Sequence, residues 1–222
     1  MNILKHTLTP KVSHNMDNIY NKLKGKKVFI FDLETTGLFD KINASNYWMN
    51  EAFDKARIVE IGYYYSESFD DIDNNNIIHS YLRKPTDFTK IDQKAEQVHG
   101  LSIQKLKSEG ILFSKILNKD LLYKLVNCDY IVSHNINFDF SILLNELFRF
   151  GLNDTIQHLL YMKESNKLVC TCIASGYTKL DKLYSQIFNT NPNVTHRAGN
   201  DVSTLLDIIK KRNTDVQYKY HL

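Results

Sequence analysis

Val28-Phe29-Ile30-Phe31-Asp32-Leu33-Glu34-Thr35-Thr36-Gly37-Leu38 is the stretch on which the reading of this chain turns. Four apolar residues run unbroken into Asp32, the pattern of a short strand buried on both faces. Strand side chains alternate, so Asp32 and Glu34, two apart, point to the same face. Two carboxylates at the end of an apolar strand are costly unless a positive charge stands between them. A hard divalent cation suits that place, because Mg²⁺ and Mn²⁺ prefer oxygen ligands. The adjoining Thr35-Thr36-Gly37-Leu38 run offers hydroxyls, and a glycine where a ligand can approach the backbone closely.

Working outward, residues 58–65 and 77–82 read as two more strands. The turn-rich 70–76 run between them makes the pair a hairpin. Tyr130-Ile131-Val132 is another short buried strand, and residues 168–172 a further strand. Helices are expected over 93–99, 113–126 and 138–150, the last stopped by Gly151. A short helix is marked by Leu180, Leu183, Tyr184 and Ile187. The last is marked by Val202, Leu205, Leu206 and Ile209, with Lys210-Lys211-Arg212 at its C-terminus. Val12, Met16, Ile19 and Leu23 keep helical spacing near the start, with Ser13 as cap. Three strands and then alternating helix and strand predict an α/β fold, one mixed central sheet of about five strands flanked by helices. The expected organisation is an extension over 1–26, one domain over 27–213 and a tail over 214–222.

The 222 residues are 43% hydrophobic and 24% charged, ordinary for a globular chain and unlike disordered or collagenous ones. No apolar run is long enough to span a bilayer. An odd count of three cysteines argues against a disulfide framework and for a reduced, intracellular and cytoplasmic setting, with Cys170 and Cys172 as buried thiols. The net charge of +3 hides an asymmetry: residues 1–27 carry +5 and residues 210–222 carry +3, leaving −5 for the body. Such basic ends are either solubilising tails or arms that grip phosphates.

Further acids stand at helix starts. Asp139 comes after Ser133-His134-Asn135-Ile136-Asn137-Phe138, and Asp201 after His196-Arg197-Ala198-Gly199-Asn200. Each alone reads as a first-turn acid favoured by the helix dipole. Together with Phe31–Leu38, however, these segments resemble the three motifs of the DnaQ-like 3′–5′ exonucleases, the superfamily of the DNA polymerase III proofreading subunit and RNase T. Ile58-Val59-Glu60-Ile61-Gly62, Gln97-Val98-His99-Gly100-Leu101 and Lys179-Leu180-Asp181-Lys182-Leu183 resemble further family segments. His196 five residues before Asp201 marks the DEDDh branch. The 39–56 loop is longer than usual for the family.

That resemblance implies a ribonuclease H-like fold and a metal-dependent nuclease. Asp32, Glu34, Asp139 and Asp201 would hold two Mg²⁺ or Mn²⁺ ions, and His196 would be the general base. Thr35, Thr36, Gly37 and Leu38 resemble the strip that contacts the terminal nucleotide, with His99, Asn135 and Phe138 as pocket walls, Phe138 being equally readable as core. The implied partner is single-stranded nucleic acid with a free 3′ end, DNA somewhat favoured over RNA, and a separate DNA polymerase is a second candidate partner. Competing readings are an exoribonuclease of short RNA and an inactive binding scaffold. Tyr47, Trp48, Met49 and Phe53 in the long loop stack on bases or pack a small helix, and packing is the expectation.

Overall fold

A computed structural model describes residues 16–70, 77–117, 119–192 and 196–219. The described strands are β1 (Val28–Thr35), β2 (Ile58–Ser66), β3 (Ile78–Leu82), β4 (Tyr130–Ser133) and β5 (Leu168–Cys170). They form one sheet in the order β3-β2-β1-β4-β5. β1 pairs antiparallel with β2 and parallel with β4; β2–β3 is antiparallel and β4–β5 parallel. The sheet is mixed, as expected, and β1 lies at its centre.

β1 shows how alternation places the site. Phe29, Phe31 and Leu33 enter the larger core with α2 (Asn50–Phe53), α5 (Phe113–Ile116), α6 (Lys119–Asn127), α7 (Ile136–Arg149) and α8 (Asn153–Glu164). Val28 and Ile30 face the other way, into a core with α1 (Asp17–Leu23), α10 (Leu180–Phe188) and α11 (Ala198–Lys219). Asp32 and Glu34 continue the Val28–Ile30 face, so they meet the layer containing α11, which carries Asp201. The β1–β2 register shifts between Glu34 and Thr35, a bulge that re-aims the strand end beside the acids.

The structure revises several element readings. α7 starts at Ile136, two residues before the expected 138, and Phe150 is left partly exposed. The expected helix over 113–126 is two, α5 and α6. β5 stops at Cys170, and α9 (Thr171–Ala174) takes over. α11 runs through the basic triplet to Lys219. α3 (Gln93–His99) is as expected, but α4 (Ile103–Glu109) and α8 were not foreseen. α4 buries only Leu106, and α8 buries Ile156, Leu159 and Met162 along an otherwise polar helix. Those stripes are too thin to declare a helix by periodicity. Val12, Ser13 and the 71–76 turn lie outside the described residues.

The long loop after Leu38 is mostly packing. Phe39 stacks between Phe53 and Phe138, and Tyr47 meets Phe148 edge-on. Asn145 on α7 donates to the Tyr47 carbonyl at 2.7 Å. Trp48 alone of its aromatics stays half exposed. No helix among the described residues is long and apolar enough to cross a membrane.

Candidate active site

Asp32, Glu34 and Asp201 bring carboxylate oxygens within 4.8 Å of one another. Asp139 reaches the same end of the sheet from the first turn of α7; it is buried, and the Ser133 hydroxyl donates to its Oδ2 at 2.6 Å. Its charge acts on Asp32 more strongly than that of any other acid. Burial first, and then repulsion from neighbouring acids, pushes all four carboxyls up: Asp32 well above its ordinary value, Glu34 to about 8, Asp139 to about 7 and Asp201 to about 6. Hydrogen bonds from the Ser133 side chain and from the backbone oppose this at Asp139, and two side chains oppose it elsewhere. Arg197 pulls Glu34 down, and His196, with Nδ1 3.8 Å from Asp201 Oδ2, does the same for Asp201. Two such groups do not balance four acids. Converging hard oxygen donors with an uncompensated negative charge fit a divalent cation; Asp32, Glu34 and Asp201 form the cluster that could hold one, and Asp139 lies beside it.

His196 stands just before α11, and the residues on its C-terminal side are firmly seated. The Arg197 guanidinium makes a two-pronged pair with Glu60 (2.8 and 2.9 Å), and the Ala198 N–H donates to the same carboxylate at 3.2 Å. Ser80 on β3 donates to Glu60 at 2.6 Å. Glu60, on β2, is only 1% exposed. Two residues along the same face, Gly62 lies so close to Ala198 that a Cβ there would collide with the helix backbone. A buried carboxylate and a missing side chain thus dock the start of α11 onto the β2–β3 hairpin. His196 is left 45% exposed at the edge of this seat.

The strip after Glu34 lines a cavity of about 910 Å³ with Thr35, Thr36, Gly37, Leu38, His99 and Phe138. Its threonine hydroxyls are engaged within the protein. Thr35 donates to the Gly37 carbonyl at 2.7 Å. Thr36 donates to the Lys55 carbonyl at 3.0 Å and accepts from the Arg57 N–H. Gly37 is needed for closeness, since a Cβ would stand 2.9 Å from the Lys55 carbonyl oxygen. Buried His99 accepts from Leu101 N–H on Nδ1 and donates from Nε2 to the Thr35 carbonyl, and burial holds its pKa down. It braces the strand end as a neutral ring. Leu38 projects, 71% exposed. Phe138 lines the cavity and also packs on the core. Asn135 lies apart, in a second cavity of about 640 Å³ with Asp32, Asp201 and His196. Half-buried Cys172 lines that cavity too, whereas Cys170 is buried as expected.

The profile of the exonuclease family that includes RNase T matches residues 29–209. The chain belongs to the exonuclease family. Its five-stranded mixed sheet between helices is the ribonuclease H-like fold, and the DEDDh acids and histidine meet at the C-terminal end of the central strand. Solved structures of E. coli Exonuclease I share the fold. The complex with a dT13 oligonucleotide matches with a TM-score of 0.59 and 14% identity, over 88% of this chain and 43% of that one. The zinc-bound complex with single-stranded DNA gives 0.58 and 14%, over 89% and 43%. The dA16 complex gives 0.58 and 14%, over 88% and 42%. The chain therefore spans less than half the length of these structures. No curated protein matches the sequence.

Sequence reasoning did not single out Glu60 and Arg197 as a pair. A signal was there: an acid in the middle of the apolar run 58–65 needs a partner if it is buried, and Arg197 lies beside the candidate base His196.

Proposed function

We propose that this chain is a metal-dependent 3′–5′ exonuclease that releases nucleoside 5′-monophosphates from single-stranded nucleic acid, DNA in preference to RNA, through a catalytic domain over 27–213. The observation that carries this is the convergence of Asp32, Glu34, Asp139 and Asp201 around a negative charge the protein does not neutralise, with His196 beside them. The preference for DNA rests on the oligonucleotides bound to the similar E. coli Exonuclease I.

Hydrolysis forms a bond between a water oxygen and phosphorus and breaks the bond from phosphorus to the 3′-oxygen. Bound divalent ions supply charge neutralisation at the phosphate and lower the pKa of water. The four carboxylates would hold those ions, two being the number the family resemblance implies. His196, exposed at its rim and close to Asp201, accepts the proton from the attacking water. The Glu60–Arg197 pair fixes the backbone on one side of His196, so the ring turns about a held point. The Thr35–Leu38 strip and His99 shape the cavity for the terminal nucleoside, with Leu38 against its base.

Labelled single-stranded DNA and RNA of one sequence, incubated with Mg²⁺, Mn²⁺ or EDTA, test the reading. Metal-dependent shortening from the 3′ end is expected, faster on DNA. Faster RNA shortening selects the exoribonuclease alternative. Inertness of both with either metal overturns the enzyme and leaves a binding scaffold.

A further inference from the structure

Two cavities open on the acids. The first holds Glu34 and the Thr35–Leu38 strip; the second holds Asp32, Asp201 and His196; Val98 lines both, so they adjoin. A scissile phosphodiester has a nucleoside on each side. If the terminal nucleoside occupies the first cavity, the nucleoside that leaves through its 3′-oxygen needs another place.

Tyr177 borders the second cavity and is 76% exposed. Among the described residues its ring stacks on no other aromatic ring and its hydroxyl makes no hydrogen bond. It also has φ +62°, directly after Gly176 at φ +70°. A bulky residue in the left-handed region is an outlier that costs stability, and such outliers gather at ligand sites. The turn is nonetheless well held. Tyr177 N–H donates to the Cys172 carbonyl at 2.7 Å, and the Thr178 hydroxyl donates to the Ser175 carbonyl at 2.8 Å. The Thr178 carbonyl accepts from His134 Nε2 at 3.0 Å, and His134 Nδ1 accepts from the Thr171 hydroxyl at 2.9 Å. Exposed Lys179, two residues on, lines the same cavity and makes no ion pair or side-chain hydrogen bond among the described residues.

We infer that the second cavity is the subsite for the nucleotide on the 5′ side of the scissile phosphate, with the Tyr177 ring as its stacking platform and Lys179 as a contact to its backbone phosphate. This rests on the exonuclease reading. The Tyr177 turn is hydrogen-bonded to His134, in the β4–α7 turn that leads into Asp139, so the platform is anchored to the segment that carries one of the four acids. A stacking ring accepts any base, as a nuclease that moves along a strand requires.

The test crosses protein with substrate. Two single-stranded oligonucleotides are compared, one intact and one with an abasic residue 5′ to the bond cut first. On the intact strand Tyr177→Ala should raise KM roughly 5- to 150-fold, the range for one base–aromatic stack, with Tyr177→Phe close to wild type. On the abasic strand Tyr177→Ala and wild type should agree. Tyr177→Gly should melt at least as high as wild type, since glycine accepts the left-handed turn, yet show the same KM defect; this separates binding from folding. Lys179→Ala should make the salt slope of log binding shallower by about 0.7, one phosphate on a single strand. An equal Tyr177→Ala defect on both strands, or none on either, overturns the subsite. If wild type cuts neither strand with Mg²⁺ or Mn²⁺, the exonuclease reading itself has failed.

Discussion

The protein buries charge in two places and treats it in opposite ways. Near α7, Glu146 (1% exposed) accepts from Arg57 and from Arg83 (0% exposed), and both arginines also pair with Asp87. The Arg83 guanidinium lies 4.4 Å from the centre of the Phe113 ring. Two acids meet two arginines, and the cluster is neutral within itself. At the end of β1, four acids meet one arginine, already paired with Glu60, and one histidine. Both sets ride on the same sheet and the same helix, since α7 carries Asp139 at its start and Glu146 two turns later. These pairs tie the ends of β2 and β3 to α7. The incomplete set is stable only to the extent that protons or cations enter it. Chemistry is expected where compensation is missing, not where burial is deepest.

The largest expected effect separates the two regions by rate. His196→Ala should slow hydrolysis by about 10²–10⁴-fold through loss of general-base catalysis, while the metal-induced rise in melting temperature survives, because the four carboxylates are intact. Kinetics and melting curves with Mn²⁺ check both halves. An unchanged rate at neutral pH removes His196 from the mechanism.

Glu146→Gln should do the reverse. It leaves two buried guanidiniums with Asp87 as their remaining anion, and breaking a buried pair in this way costs about 3–5 kcal/mol. Denaturant unfolding should show that loss, and the folded fraction should keep wild-type turnover and metal response. A rate defect in fully folded protein would mean that the two charge clusters are coupled.

How much of this was legible in the sequence depended on the range of the signal. Asp32 and Glu34 were readable because strand alternation is local, and β1 declares itself with four apolar residues. Asp139 and Asp201 were first-turn acids until the motifs grouped them, since nothing local says that two helix starts converge on one strand end. The Glu60–Arg197 pair spans 137 residues, and the Arg57–Glu146 pair 89. Periodicity carries no information at those separations. Glu146 did leave a trace: it falls four residues after Ile142 and three after Leu143, an acid on the apolar face of α7. The thin stripes of α4 and α8 hid two helices for the same reason that they contribute little to the core.

The acids also make stability depend on pH, with a sign opposite to that of ordinary paired carboxylates. Glu34, Asp139 and Asp201 stand at about 8, 7 and 6 when folded, against ordinary values of 4.5, 3.8 and 3.8. Between those limits the folded chain holds protons that the unfolded chain has released. Their stabilising contribution is complete below about pH 4 and is lost as pH rises through about 8. In EDTA the melting temperature should therefore fall from mildly acidic to mildly alkaline buffer. Excess Mn²⁺ should narrow or invert that fall, because the metal binds the folded, deprotonated site. A metal-free protein that is most stable at alkaline pH would contradict the picture of uncompensated acids.

The finest division concerns Asp139 alone. Its position in the first turn of α7 allows a modest role, in which its charge favours the helix dipole and its removal costs roughly 0.3–1 kcal/mol. Its place among the acids predicts the other sign. Asp139→Asn keeps the shape and the capacity to accept from Ser133, but removes one of four repelling charges. Without metal, near pH 8, where Asp139 is mostly ionised given its pKa of about 7, the variant should melt above wild type. It should gain less from Mn²⁺, having lost a ligand, and lose most of its activity. Wild type and variant melted in EDTA and in Mn²⁺ at that pH give four numbers, and the order of the two in EDTA decides. A variant that melts lower there and still degrades DNA at full rate would return Asp139 to the dipole role, leaving Asp32, Glu34 and Asp201 as the metal-binding set.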